Sequence, residues 1–169
     1  MGGGQVTVSA SNYYSGNLMP YMAVLPIEDI PIQNYTGLPN KCWHTYSGFP
    51  QWFMVDFGHE RFIGTISFYP ISPEAAGIGY CGIKDYEIQK SDDGNLFETV
   101  ISKTYIPKNT VRHPQVCNEE VCKVNINARY VRIYVKSAYG SYVGLTCFTA
   151  YNDIVCVYVA RNKNAYISK

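Results

Sequence analysis

Alternation of apolar and polar residues with a period of two constrains the fold of this chain more than any other feature. The stretch RYVRIYVK at 129–136 places Val131, Ile133 and Val135 on one face and its polar and tyrosine side chains on the other. No window shows the sustained i, i+3, i+4, i+7 apolar spacing of an amphipathic helix. The pattern is typical of strands with one face in a core, and it predicts an all-β fold. The same alternation recurs in QVTVSAS at 5–11, KDYEIQKS at 84–91 and CKVNIN at 122–127.

The connections between these strands are rich in turn-forming residues. The segment SDDGN at 91–95 favours a tight reversal of the chain. Short strands joined in this way predict a sandwich or a barrel. Long connections in a compact domain usually carry function, so we expect the ligand site among the loops at 12–40, 70–84, 105–118 and 137–144.

Size and charge exclude several function classes. A chain of 169 residues is expected to form one main domain that buries about 70% of the surface its unfolded form would expose. The net charge is +1 and no block of like charges occurs, so nucleic acid is not an expected partner. The longest apolar run, DIVCVYVA at 153–160, is far shorter than the ~20 residues that span a bilayer.

Cysteine content bears on the compartment. The six cysteines include no CxxC pair and no zinc-ligand spacing with histidine, so zinc is a poor explanation. Disulfides in an exported domain explain them better, and buried thiols in a cytosolic protein are the alternative. We therefore expect an extracellular or cell-surface location, although MGGGQV at the N-terminus lacks the features of a secretion signal. The connectivity stays open, with Cys117–Cys122 the easiest bridge to form.

No catalytic motif stands out. Glycoside hydrolysis needs two carboxylates across a cleft, whereas the acids in question lie at a strand end and in a hairpin, where solvated or turn-forming roles are usual. The histidines lie near no recognisable nucleophile motif. We predict a non-catalytic protein. The residues set aside are Asp56, Glu60, Asp92 and Asp93 among the acids, and His44, His59 and His113.

In their order along the chain, seven segments resemble the discoidin domain, also called the coagulation factor V/VIII type C domain. They are VTVSASN (6–12), YTGLPNKCWHT (35–45), PQWFMVDFG (50–58), FIGTISFYP (62–70), IKDYEIQKSDDGNLFE (83–98), ARYVRIYVKSAYG (128–140) and LTCFTAYN (145–152). The resemblance implies a galactose-binding-like β-sandwich, or distorted jelly-roll barrel, with ligand loops at one end. The family comprises carbohydrate-binding modules, lectins and phosphatidylserine-binding domains, and it has no catalysis of its own.

The resemblance also divides the chain. Residues 1–152 are expected to form the discoidin-like domain. Residues 153–169 run past the family's usual end and are expected to add an edge strand or to lead toward a further domain.

Two departures from the family concern its structural calcium. Many carbohydrate-binding members hold this ion partly with an Asp before a Gly and partly with a Glu in the last strand. The matching positions here are Thr36 and Cys147. Because a hard cation needs several oxygen ligands, these residues do not favour calcium, and no cofactor is expected. We hypothesise that a Cys42–Cys147 disulfide replaces the metal.

The resemblance also sorts the aromatic residues. Trp43 and Trp52 match interior positions of the family and are assigned to the core, while Phe49, on the preceding turn, keeps a claim to the binding face. A sugar site needs an aromatic ring beside directed polar groups. Tyr139 and Tyr142, on a flexible Gly-Ser turn, match a loop that often supplies the stacking ring in relatives.

Further candidates for the glycan site come from neighbouring loops. The polar groups are expected from NTVRHPQ, and two more tyrosines are expected to complete the cup. The alternative is that these tyrosines merely cover the end of the barrel, since tyrosine is abundant in the chain. The additional candidates are Asn109, Arg112, His113, Tyr80 and Tyr46.

A second candidate surface would bind membranes or proteins. The Pro-bounded loop NLMPYMAVLP at 17–26 resembles the apolar spikes with which clotting-factor relatives enter lipid, and its contact residues would be Met19, Tyr21, Met22 and Leu25. Anionic phospholipid also requires nearby cations, but none occurs between 1 and 40. A glycan or glycoprotein is therefore the preferred partner. Protein adhesion through the same loop stays open.

Overall fold

The computed structural model describes residues 4–24, 42–46, 48–72, 82–108 and 116–152. These residues contain no α-helix, which confirms the all-β prediction. Neither of the short 3-10 helices among them is long and apolar enough to cross a membrane. Two short 3-10 helices, Gly16–Leu18 and Pro20–Val24, lie in the first long connection. The strands are β1 (Thr7–Ala10), β2 (Trp43–His44), β3 (Gln51–Pro70), β4 (Asp85–Ser91), β5 (Glu98–Thr104), β6 (Glu120–Val135) and β7 (Gly144–Tyr151).

Two long antiparallel strands organise the molecule. Residues 51–56 of β3 pair with residues 130–135 of β6, and residues 61–68 pair with residues 120–128. The register shifts between these two stretches, where β3 bends. The strand order is β2-β7-β3-β6-β4-β5, with β1 added to β3. Because β3 and β6 each contribute to both halves, the sheet wraps around one core as the expected β-sandwich.

The core follows the alternation. Phe53, Val55 and Phe57 of β3 are at most 1% exposed, and the register sets Phe53 opposite Ile133 and Val55 opposite Val131 of β6. The ring of Phe53 also contacts that of Phe148 on β7, with 5.3 Å between ring centroids. The aromatic density of PQWFMVDFG is thus mainly packing.

The two tryptophans have different environments. Trp43 is fully buried in the core, as predicted. The core assignment of Trp52 is wrong, because this residue is only half-buried and lies opposite Tyr134 on the outer face of the sheet. Period-two geometry explains the difference, since Trp52 alternates with the inward-facing Phe53.

The strand ends define two ends of the sandwich. At the first, which we call the loop end, β1 finishes at Ala10, β3 begins at Gln51, β6 finishes at Val135 and β7 begins at Gly144. At the second, the bend end, are residues 57–63 of β3 and the last residues of β7. All the long connections predicted to carry function leave from the loop end.

No disulfide joins any two of the four cysteines in the described ranges. Cys42, Cys117, Cys122 and Cys147 are buried, and the proposed Cys42–Cys147 and Cys117–Cys122 bridges are not formed. The Cys122 thiol instead lies 3.3 Å from the Tyr86 hydroxyl, inside the core. Buried cysteine behaves here as a small apolar side chain. Cys81, Cys156 and the whole extension at 153–169 fall outside the described residues.

Candidate functional site

An exposed pair of tyrosines is the most prominent feature of the loop end. Tyr14 is 50% exposed and Tyr46 is 51% exposed, and their ring centroids are 5.0 Å apart at an interplanar angle of 46°. Beneath them, the His44 ring lies edge-on to Tyr14 at 6.0 Å and stacks on Tyr142 at 5.4 Å. We call Tyr14, His44, Tyr46 and Tyr142 the tyrosine cluster. Two of its rings are exposed to solvent, and the buried imidazole of His44 lies beneath them.

Hydrogen bonds fix the exposed pair in place. The Tyr14 amide donates to the carbonyl of His44 at 2.8 Å, and the Tyr46 amide donates to Oδ1 of Asn12 at 3.0 Å. Asn12 also donates from Nδ2 to Oε1 of Gln51 at 3.0 Å. Because Gln51 begins β3 and is only 4% exposed, the two segments that carry the tyrosines are tied to each other and to the sheet. The two tyrosines are therefore pre-organised in the absence of ligand.

The core tryptophan joins the same support. Trp43 donates from its indole Nε1 to the Asn12 carbonyl at 2.8 Å, so a buried ring satisfies its polar atom at the base of the loop. Asn12 thus contacts Trp43, Tyr46 and Gln51 through three different groups. This asparagine is the main positioning residue of the tyrosine cluster.

His44 is part of the scaffold rather than an acid or base. Its side chain is fully buried, and desolvation lowers its pKa from 6.5 to about 4. The imidazole is therefore neutral at physiological pH. As an uncharged ring between Tyr14 and Tyr142, it packs like an aromatic spacer.

Tyr139 belongs to a different group from Tyr142. Its hydroxyl donates to the Tyr105 carbonyl at 2.6 Å, its amide donates to the Gly82 carbonyl at 3.1 Å, and Lys84 Nζ lies 5.8 Å from the ring centroid. Although 38% exposed, this ring is thus fastened to the connection after β5. Of the predicted site residues, the structure brings Tyr46 and Tyr142 into one cluster and leaves Tyr139 apart.

Four other predicted glycan contacts lie outside the described residues. Phe49, on the turn before β3, is 41% exposed and keeps its claim to the loop end. Sequence reasoning missed Tyr14, although NYYSG at 12–16 carries a signal, namely adjacent aromatics directly before a Ser-Gly turn. The contacts outside the described ranges are Tyr80, Asn109, Arg112 and His113.

The apolar loop proposed for lipid or protein contact is partly core. The 3-10 helix Pro20–Val24 turns Ala23 and Val24 into the interior, where each is at most 1% exposed. Met19 and Met22 are half-buried and Tyr21 is 37% exposed, while Leu25 falls outside the described ranges. Residues 18–24 therefore anchor the loop in the sandwich rather than projecting as a free spike.

The acids serve structural roles. Asp56 accepts hydrogen bonds from Arg129 Nε at 3.0 Å, from Arg129 Nη2 at 3.1 Å and from the Gly58 amide at 2.7 Å. Partial desolvation acts to raise the pKa of Asp56, but the bonds from Arg129 and Gly58 hold it below its ordinary value. Asp93 accepts from the amides of Asn95 and Leu96 in the β4–β5 turn, as the turn-forming prediction requires.

The chain offers a poor fit to the family's calcium. Cys147, which the family resemblance matches to a metal-binding Glu, is a soft sulfur ligand that is 5% exposed inside β7. Within the part of the chain that the structure describes, no three His, Cys, Asp or Glu side chains gather around a common point. Thr36, the other matching position, lies outside that part.

Several solved structures share this fold. CpGH89CBM32-5 from Clostridium perfringens, solved in complex with GalNAc-β-1,3-galactose, superposes with a TM-score of 0.59 at 16% identity, covering 87% of this chain and 95% of that one. The family 32 module of C. perfringens NanJ, in complex with galactose, gives 0.56 at 19% identity over 86% and 92%. The CBM32 of AlyQ, in complex with 4,5-unsaturated mannuronic acid, gives 0.59 at 17% identity over 88% and 95%.

Sequence comparison assigns the family. No match was found among curated proteins. The family model for the F5/8 type C domain matches residues 7–148, which is most of the chain and includes every described strand but the last three residues of β7. The chain belongs to the F5/8 type C, or discoidin, domain family.

Proposed function

We propose that this domain is a non-catalytic carbohydrate-binding module that holds a glycan at the loop end. The observation that carries the proposal is the exposed, hydrogen-bonded pair Tyr14 and Tyr46. Because the proposed ligand is a glycan, we place the module extracellularly or at the cell surface. That placement rests on the ligand class, since the four described cysteines form no disulfide with one another.

The geometry of the pair suits a sugar. The C–H face of a pyranose packs on an aromatic ring, while its hydroxyls take directed hydrogen bonds. Two rings inclined at 46° present non-parallel faces, which can contact two sides of one residue or two successive residues of a chain. Because both backbones are pinned through Asn12 and His44, little loop order must be gained on binding.

The comparisons support the ligand class. Three structural relatives were solved with galactose, GalNAc-β-1,3-galactose or 4,5-unsaturated mannuronic acid bound. Their identities of 16–19% tie them to this chain through the fold alone. A glycan is therefore the class of ligand to test first, and the particular sugar is left to the experiment.

The hydrogen bonding of two acids supports a binding role without catalysis. Asp56 is held by Arg129 and the Gly58 amide at the bend end, away from the tyrosine cluster. Asp93 is held by amides of a hairpin turn. These carboxylates are committed to the fold, and neither lies beside the exposed aromatic pair as a hydrolytic acid would.

Protein or phospholipid binding through the loop at 17–26 is the second candidate. One observation favours it, the 37% exposure of Tyr21 beside half-buried Met19 and Met22. Burial of Val24 removes part of the apolar tip, and no Lys or Arg occurs between 1 and 40 to attract anionic lipid. The glycan remains the better supported ligand.

A glycan array run beside liposome flotation separates the two functions. We expect saturable binding to a subset of glycans and no flotation with vesicles that contain phosphatidylserine. The Tyr21→Ala variant serves as a control, because it removes the exposed ring of the second surface and should leave array binding intact. An empty array combined with flotation that Tyr21→Ala abolishes would refute the glycan proposal.

A further inference from the structure

Strand β5 is an accessible edge of the sheet. It pairs with β4 along one side, and no strand of the described residues pairs with its other side. Five of the seven residues in Glu98–Thr104 are exposed. The N–H and C=O groups along such an edge can pair with a further strand, and this is a common way for a sheet to bind a partner.

The pairing with β4 fixes which side of the sheet each residue of β5 occupies. Ile101 lies opposite the buried Ile88, and the pairing shifts by one residue directly after it, so that β5 carries an extra residue there. Val100 and Ile101 consequently both pack against the core. The residues on the core side are Glu98, Val100, Ile101 and Lys103, and those on the outer side are Thr99 and Ser102.

This strand is complementary to itself in the antiparallel direction. If Glu98 is set opposite Lys103 of a second copy, Thr99 lies opposite Ser102 and Val100 lies opposite Ile101. Each pair joins residues from the same side of the sheet, as antiparallel neighbours must, and this agreement depends on the extra residue. A two-fold axis repeats every pair, which gives two pairs each of opposite charges, hydroxyls and aliphatic side chains.

The apolar residues that flank β5 extend the match. Leu96 is 81% exposed and Ile106 is 70% exposed, the highest values for large apolar side chains among the described residues. Leu96 precedes the strand by two residues and Ile106 follows it by two. In the same antiparallel register, Leu96 of one copy comes within one residue of Ile106 of the other, at both ends of the strand pair. Each side chain could therefore be covered by the other copy.

Charge favours a second copy over an unrelated strand. Charged side chains on an edge oppose pairing with most other strands. The Glu98 side chain is 74% exposed and lies 3.7 Å from Lys90, and the Lys103 side chain is 43% exposed beside Glu120. Because the two charges are opposite in sign and symmetrically placed, a second copy presents the matching charge to each of them.

From the accessible edge, the self-complementary segment ETVISK and the flanking Leu96 and Ile106, we infer that β5 binds β5 of a second copy in a two-fold dimer. The paired segment is short and buries less than the ~1,600 Å² of a standard interface, so the dimer is weak, with a Kd of about 10–100 µM. Since the strands run antiparallel, the two loop ends point in opposite directions. The dimer does not require the tyrosine cluster, so its test is separate from that of glycan binding.

Sedimentation velocity of the wild type from about 5 to about 500 µM tests the dimer. We expect the sedimentation coefficient to rise with concentration from the monomer value to the dimer value. Amides of β5 that face away from β4 should exchange more slowly with deuterium at the higher concentration. A monomer over the whole range would overturn the proposal. A dimer whose β5 amides exchange equally fast at both concentrations would also overturn it, because its interface would lie elsewhere.

Charge reversal tests the register. Glu98→Lys and Lys103→Glu should each weaken self-association at least about tenfold, because each sets like charges opposite one another at both ends. An equimolar mixture, with one variant carrying a fluorophore, should associate about as tightly as the wild type, because opposite charges face each other again. Glu60→Lys makes the same charge change as Glu98→Lys on an exposed residue of the β3 bend, and this control should dimerise normally. Normal dimerisation of either single variant, or a mixture that stays monomeric, would contradict the register.

A second pair of substitutions covers the possibility that Lys103→Glu folds poorly, since it loses the 2.9 Å contact with Glu120. Leu96→Ser combined with Ile106→Ser alters two exposed side chains outside the strand and should leave the circular dichroism of the monomer unchanged. We expect this double variant to dimerise at least about tenfold more weakly than the wild type. Together with Glu98→Lys it then decides the question, and wild-type association of these folded variants would refute the dimer.

Discussion

Backbone hydrogen bonds hold the exposed rings of Tyr14 and Tyr46 beside the buried ring of His44. The amide of Tyr14 bonds the carbonyl of His44, and the amide of Tyr46 bonds Asn12. Two half-exposed aromatic rings on a fixed backbone give a ligand a contact surface that is already formed. At the residue scale, this arrangement connects the core tryptophan to the proposed glycan site through Asn12.

Buried His44 gives the protein a pH dependence of stability that can be measured. The pKa of His44 is about 4 in the folded state against 6.5 for an ordinary histidine, so between these pH values the unfolded chain binds a proton that the folded chain does not. The contribution of this residue to stability is complete above pH 6.5 and is lost as the pH falls to about 4, by roughly 3 kcal/mol. Urea unfolding should show that the free energy of unfolding falls less between pH 7 and pH 4 in His44→Gln than in the wild type. Parallel curves for the two proteins would contradict this account.

Gly58 is required by the approach of two backbone segments at the bend. It has φ +78, and a Cβ built on it would lie 2.5 Å from the carbonyl carbon of Gly4. We expect Gly58→Ala to lower the free energy of unfolding by about 1–3 kcal/mol, since both the backbone conformation and the contact oppose a side chain. Gly16→Ala is the control, because nothing lies within 4 Å of the added Cβ. Chemical denaturation of both variants checks this, and equal stabilities would argue against the close contact.

Among the elements, β3 joins the two halves of the sheet through its bend, because the residues on either side of the bend pair with different parts of β6. Asp56 closes it by accepting from the Gly58 amide two residues on and from Arg129 on the neighbouring β6. A single carboxylate therefore joins the turn to the partner strand. Bending at this point lets one strand of 20 residues contribute to both sides of the core.

Replacing Asp56 by Asn tests this clamp. Because the pKa of Asp56 is lowered in the folded state, its contribution is present above the unfolded value of about 4 and is lost as the pH falls through the folded value. We expect Asp56→Asn to cost about 1–3 kcal/mol at pH 7, with the difference from the wild type narrowing below pH 4. Glu98→Gln, which removes an exposed 3.7 Å pair with Lys90, should change stability by less than about 0.5 kcal/mol. A difference that persists unchanged in acid would rule out the charge of Asp56 as its source.

Cys147 in β7 leads to a prediction about calcium binding. With Cys147 in place of the family's Glu, β7 offers sulfur where a hard cation needs oxygen. We expect no rise in the melting temperature when calcium is added and no fall when a chelator is added. Scanning fluorimetry in both buffers measures this, and a stabilisation that saturates with calcium would show that the ion is held in spite of the cysteine.

Much of the fold could be predicted from local pattern, because alternation fixes which face of a strand enters the core. This is why the strands around Ile133 and Ile88 appear where the sequence places them. Trp52 was assigned wrongly because family position was given more weight than its alternation with Phe53. The union of two short segments into one long β3 could not be predicted, since the bend between them carries a contact, Asp56–Arg129, between residues 73 apart in the sequence.

The site was harder to predict than the fold. Its members converge from the connection after β1, from β2 and from the loop before β7, and no periodicity in sequence links these segments. Of the two predicted tyrosines, Tyr142 lies in the tyrosine cluster, whereas the hydroxyl of its neighbour Tyr139 donates to the carbonyl of Tyr105. Tyr14 was missed because its partner Tyr46 is 32 residues away and only their hydrogen bonds bring them together.

For the whole molecule, the two ends of the sandwich have different chemistry. The loop end presents a pinned aromatic pair above a neutral histidine, and the bend end presents a cavity with a cationic wall.

If Tyr14 and Tyr46 bind the glycan, calorimetric titration will detect the loss of both rings in a double variant. With a glycan selected on the array, Tyr14→Ala combined with Tyr46→Ala should lower affinity at least about tenfold, or about 1.4 kcal/mol, without unfolding the domain. Tyr21→Ala, which removes another exposed tyrosine of the same end, should bind with wild-type affinity. Wild-type affinity in the folded double variant would contradict the account.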